Sequence, residues 1–219
     1  MPNSIPYLTA LAGVAAIAAT FFSTHSPSLI FNQQVAMHQP YQFITSHFTH
    51  GDWEHLWWNL CALVVVSSVL ELRCRGRWWS AMLLGFAAVN GFLMSSLSAV
   101  QYYVGLSGVL NTLLFVSLWE LRKDHGRLSL GLAMACAAKI AFEMTSTQSM
   151  FTNISWPPYP AAHLAGLVGA LSYIFLDVTK AGAIYHLPLQ SGPAHSVLPA
   201  ARNSTGCQSC LKDMRRLDP

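Results

Sequence analysis

The sequence predicts an all-α polytopic membrane protein with six transmembrane helices. Three observations carry that prediction. Only 10% of the 219 residues are charged and 53% are hydrophobic, whereas a soluble domain carries about 25% charged residues. The apolar residues fall in blocks long enough to cross a bilayer, separated by short polar or basic pieces, as expected where backbone groups find no partner in lipid. Apart from Lys139 and the segment after the sixth block, lysine and arginine fall in alternate connections.

Taken in order, the blocks cover roughly 5–23, 53–70, 78–98, 104–121, 128–147 and 161–178. The first resembles a signal peptide in length but lacks a basic leading region, and five more blocks follow it, so it is read as a retained span. The connection "ELRCRGR" after the second span contains Arg73, Arg75 and Arg77, and "LRKDHGR" after the fourth contains Arg122, Lys123 and Arg127. Lys180 follows the sixth span, and Arg202, Lys212, Arg215 and Arg216 lie beyond it. The segments 24–52, 99–103 and 148–160 contain neither lysine nor arginine. By the positive-inside rule both termini are cytoplasmic. That bias also accounts for the net charge of +3, so no nucleic-acid partner is implied. Domain organisation follows: a membrane domain over 1–180 and a largely disordered cytoplasmic tail over 181–219, rich in proline, serine and glycine before its basic end. The five cysteines form no disulfide framework, and the tail's Cys207 and Cys210 lack a second pair to complete a zinc site.

Topology assigns each polar residue a depth. Ser107, in "VGLSGVLNTL", lies about one turn inside the outer end of span four, and His163 lies at a similar depth in span six. A hydroxyl and an imidazole at one level can form a nucleophile–base pair. Gly105 and Gly108 clear space around the serine, and "AHLAGLVGA" sets His163, Gly166 and Ala170 on one face suited to close packing against span four. Plain small-residue packing with a hydrogen-bonded histidine accounts for span six equally well.

In "HFTHGDWEHLWWNL" the residues His55 and Asn59 share a helix face near the outer end of span two, where both can donate to an oxyanion. Asp52 is placed to cap that helix, and Trp53, Trp57 and Trp58 read as interfacial anchors. His50 reads as support for the oxyanion side. With His47, His55 and His163 it also suggests a histidine-liganded metal enzyme or transporter, but no HExxH motif is present. Lys139 and Glu143, four apart in span five and placed near and beyond mid-membrane, read as a mutual ion pair or as a holder of a polar substrate group. No acidic third member is evident for the serine and histidine. Asp177 lies about four turns further down span six, so the imidazole must be oriented by a neighbour such as Asn111 or by a bound water.

Together these residues resemble the rhomboid family of intramembrane serine proteases. The family's GxSG motif corresponds to "GLSG", its histidine followed by glycine on the last span to "AHLAG", and its second-span histidines and asparagine to His50, His55 and Asn59. The resemblance implies the six-helix rhomboid fold, with Ser107 as nucleophile, His163 as base, and no metal or organic cofactor. Glu71 matches a structural glutamate of the family. The chain departs from the family in having no arginine in 24–52 and Asn111 where an aromatic residue often stacks on the imidazole. The compact size and "YYVGLSGVL" are most similar to the bacterial rhombosortase branch. That likeness implies an inner-membrane enzyme acting on membrane-anchored secreted proteins with a Gly-Gly motif, a C-terminal transmembrane helix and a basic tail. An amine-bearing lipid would be a further partner, as acyl acceptor. An inactive, chaperone-like relative is disfavoured by the presence of both Ser107 and His163.

Overall fold

The computed structural model describes residues 5–146 and 159–185. The architecture is all-helical: α1 (Tyr7–Ser23), α2 (Gln42–Phe48), α3 (Trp53–Arg73), α4 (Arg75–Leu93), α5 (Ser107–Ser146) and α6 (Pro160–Tyr185). A two-residue antiparallel ladder joins β1 (Phe31–Asn32) to β2 (Tyr102–Tyr103), pairing Phe31 with Tyr103 and Asn32 with Tyr102. The tail beyond residue 185, with Cys207 and Cys210, lies outside the described residues.

Among the described residues three helices, α3, α5 and the Pro160–Thr179 portion of α6, are long and apolar enough to cross a membrane, and α1 is a shorter apolar helix. Six helical blocks were expected to meet that standard. The largest departure lies in α5, where the expected 122–127 connection is nearly all helical. Only His125 leaves helical geometry, at φ −136° and ψ 50°. Two helices therefore meet there across a single non-helical residue, His125, followed by Gly126, instead of across a loop.

The distribution of polarity is that of a protein whose outer solvent is apolar. Val14, Val64, Val65, Leu83 and Phe175 are exposed on helix exteriors, while Thr9, Ser67, Glu71, Thr112, Ser117 and Glu143 are buried. Buried polar groups are tolerated because they find partners. Glu71 shows this most fully. Its carboxylate accepts from the Leu8 N–H (2.9 Å), the Thr9 N–H (2.8 Å) and the Thr9 hydroxyl (2.9 Å). It therefore serves as a remote N-cap for α1, whose own N-cap residue, Pro6, makes no side-chain cap bond.

The α3 N-terminus is capped as its sequence suggests, with Asp52 accepting from the His55 N–H at 2.7 Å. Beside it, Trp53, Trp57 and Trp58 are exposed. Helix α6 packs mainly against α5 and α4, and α3 lies between α1 and α5. The segment before α3 is folded, with α2 resting on α1 and contacting α4.

Candidate active site

Ser107 occupies the first position of α5, reached from β2 through a tight turn. Gly105 in that turn has φ +116°, a left-handed value that side chains with a Cβ rarely adopt. A Cβ there would also stand 2.8 Å from Cε1 of His55. The same glycine thus shapes the turn and admits the His55 ring beside the serine loop. The turn is tied down from both sides: the Gly105 N–H donates to the Ser46 carbonyl (3.0 Å), and the Tyr103 hydroxyl donates to the Gly105 carbonyl (2.9 Å).

Close helix contact sets the position of the imidazole. A Cβ added to Gly166 of α6 would lie 1.9 Å from the Gly108 carbonyl oxygen, and one added to Gly108 would lie 3.0 Å from the Ala162 carbonyl. The two backbones meet directly, as the small-residue face His163–Gly166–Ala170 anticipated. The Thr112 hydroxyl secures the contact by donating to the Gly166 carbonyl at 2.7 Å. One turn toward the N-terminus of α6, His163 Nε2 lies 3.0 Å from Ser107 Oγ. Residues 56 apart in sequence are within hydrogen-bond reach, the geometry needed for an imidazole to take a hydroxyl proton.

The opposite imidazole nitrogen has a partner that the sequence reading did not identify. His163 Nδ1 lies 3.2 Å from Glu143 Oε2, while the other carboxylate oxygen accepts from Lys139 Nζ at 2.6 Å. The Lys139–Glu143 ion pair is therefore present, but it is not the whole of Glu143's environment. The absence of an acidic neighbour at the histidine is thus corrected. Depth was the missed signal. On the expected topology the fifth block runs outward, so Glu143, about one turn before its end, falls at the level expected for Ser107 and His163. Asn111 does not reach the imidazole. Its Nδ2 donates to the Ser107 carbonyl at 2.9 Å, one turn back on its own helix.

On the facing side, Asn59 Nδ2 donates to the His55 carbonyl at 2.9 Å, leaving its second hydrogen for another acceptor. Asn59 Oδ1 and His55 Nδ1 are buried without a hydrogen-bond partner among the described residues. The His50 and His55 rings meet edge to face with centroids 4.9 Å apart. His50 Nδ1 donates to the Phe48 carbonyl at 3.1 Å and lies 3.2 Å from the Thr20 hydroxyl. Burial, reinforced by the neighbouring His55, pushes the His50 imidazole down to about 3.

His47 stands apart. Its Nε2 donates to Asn90 Oδ1 (3.1 Å), and its ring packs against Phe86 and Tyr103. Burial pushes it down to about 4 despite the Asn90 contact. His47, His50, His55 and His163 thus do not converge. Among the described residues no group of three or more His, Cys, Asp or Glu side chains is arranged to hold a metal ion.

A sequence model of the rhomboid domain matches residues 37–180, well over half of the chain, which therefore belongs to the rhomboid family. No match was found among curated proteins.

Proposed function

We propose that this member of the rhomboid family is an intramembrane serine endopeptidase in which Ser107 is the nucleophile and His163 the general base. The observation that carries the reading is the 3.0 Å separation of Ser107 Oγ and His163 Nε2, within a family match spanning both residues. Ser107 Oγ attacks the scissile carbonyl as its proton passes to His163 Nε2. The carbonyl oxygen becomes an oxyanion facing the Ser107 N–H, which at a helix start has no partner within the helix, together with Asn59 and His55. Collapse of the intermediate breaks the C–N bond, and His163 returns the proton to the departing amine. Water or an amine then resolves the acyl-enzyme. Gly105 keeps the loop open to His55, and His50 braces that ring.

The kinked α5 supports a six-span arrangement. Its 40 residues sum to about 60 Å of helical rise, twice the roughly 30 Å hydrocarbon core, and both Ser107 at its start and Glu143 near its end reach His163, so its halves on either side of His125 serve as two crossings. With α1, α3, α4 and α6 the crossings number six. The basic residues then lie in the cytoplasm with both termini, and the site opens near the periplasmic face of a bacterial inner membrane. Residues 1–180 form the membrane domain, and 181–219 form a cytoplasmic tail.

The substrate class follows from the likeness to rhombosortases: membrane-anchored secreted proteins with a Gly-Gly motif, a C-terminal transmembrane helix and a basic tail. The acyl acceptor is water or an amine-bearing lipid. The test compares wild type with Ser107→Ala in cells expressing a reporter fused to such a signal, and mass spectrometry reads the new C-terminus. Release that depends on Ser107 supports the protease, and an added lipid-derived amine identifies transfer. Equal release from both strains refutes the assignment of Ser107.

A further inference from the structure

We infer that Glu143 is a positioning residue for the base, which makes the site a Ser107–His163–Glu143 triad braced by Lys139. The inference rests on the protease reading above and adds an acidic member to it. Geometry carries it. Glu143 is 2% exposed and divides its two oxygens between two partners, Oε1 to Lys139 Nζ at 2.6 Å and Oε2 to His163 Nδ1 at 3.2 Å. An ion pair with Lys139 requires only one of those oxygens. The second faces the ring nitrogen opposite the one that faces Ser107.

The arrangement settles the tautomer. A carboxylate can only accept, so Nδ1 carries the proton and Nε2 presents its lone pair to the Ser107 hydroxyl. When Ser107 Oγ bonds to the scissile carbon, its proton moves to Nε2 and the imidazole becomes a cation. Glu143 faces that cation across the Nδ1–H bond and remains unprotonated, and the proton later leaves with the amine. Lys139, with a side chain 36% exposed, acts one step further out. Its ammonium holds Oε1 and so keeps Oε2 on the ring. The parts come from both halves of α5 and from α6, so the kinked helix supplies the nucleophile at its start and the carboxylate near its end.

Glu143→Gln tests the inference in the purified full-length chain reconstituted in lipid vesicles, with the Gly-Gly reporter as substrate and a fluorophosphonate as serine probe. Lys139 holds the amide oxygen of the glutamine, which turns the NH2 group toward Nδ1. The ring must then accept there and carry its proton on Nε2, where it can no longer act as base. The expected result is a fall in kcat of about 10²- to 10⁴-fold, KM within about twofold, fluorophosphonate labelling slowed in parallel, and recovery of at least about a tenth of kcat in Glu143→Asp.

A kcat within about threefold of wild type in Glu143→Gln overturns the inference. So does an equal loss in Glu143→Asp accompanied by lowered melting temperatures in both variants, which marks Glu143 as structural. If Glu143→Gln fails to fold because Lys139 is left unpaired, Lys139→Met/Glu143→Leu removes that charge together with the acceptor facing Nδ1 and carries the same measurement, with a loss of at least about tenfold expected and wild-type kcat overturning the inference. Ser107→Ala separates the two levels. Cleavage that survives it removes the protease reading and the triad together, whereas cleavage lost there but retained in Glu143→Gln removes the triad alone.

Discussion

Replacing Gly166 by alanine puts a methyl group where the Gly108 carbonyl now sits, 1.9 Å from its oxygen and 2.9 Å from its carbon. Both atoms belong to the α5 backbone, so no side-chain rotation relieves the clash. A carbon–oxygen contact needs about 3.3 Å, so α6 must withdraw from α5 by about 1.4 Å at this level. His163 lies one turn away on the same rigid helix, and its Nε2 is 3.0 Å from Ser107 Oγ. Moving it by the same amount opens that separation to as much as about 4.4 Å, beyond hydrogen-bond range. Misplacement on that scale costs about 10²-fold in rate, and overpacking costs about 1–3 kcal/mol of stability. The assay is the rate of fluorophosphonate labelling of Ser107 in the full chain, with thermal unfolding in the same detergent as the control for folding. Gly166→Ala is expected to remain folded, melt at a lower temperature and label about a hundredfold more slowly. Labelling within about twofold of wild type, with an unchanged melting temperature, would refute the argument that backbone contact at Gly108 and Gly166 sets the position of the base.

Two further outcomes follow from groups remote from the serine. Glu71→Ala removes three hydrogen bonds that end on α1 and is expected to cost about 2–4 kcal/mol, seen as earlier thermal unfolding and faster proteolysis within α1. His47 is held neutral, its pKa depressed from 6.5 to about 4 by burial. The unfolded chain therefore binds a proton that the folded chain refuses between those values. The stability this residue confers is complete above pH 6.5 and is lost as pH falls toward 4, by about 3 kcal/mol in all. Thermal melts of wild type and His47→Gln across that range check the sign, with a shallower acid dependence expected in the variant. An identical dependence in both would show that His47 does not carry it.

Much of the site can be read from one dimension because the bilayer supplies a coordinate. Span length and the positions of arginine and lysine convert sequence position into depth, and depth alone aligned Ser107 with His163. Small residues around each, Gly108 on one helix and Gly166 on the other, marked where two backbones could touch. The Asp52 cap and the exposed tryptophans of α3 were legible for the same local reasons. Depth does not, however, specify which way a side chain faces around its helix. Asn111 is placed well by level yet bonds back to the Ser107 carbonyl. Glu143 was legible as the partner of Lys139 because the two are four residues apart on one helix.

That Glu143 also meets His163 depends on the packing of α5 and α6, and on how the helix leaves the break at His125. The residues between 121 and 127 read as a connection because they are charged, but charge at a helix kink and charge in a loop look alike in a sequence. The sequence by itself determined the helical class and the apolar blocks, consequences of local composition, and set the shared depth expected of Ser107 and His163. Only tertiary structure decided the azimuth of each side chain, because that is set where Gly108 and Gly166 bring two backbones together and by the partners each buried polar group must find.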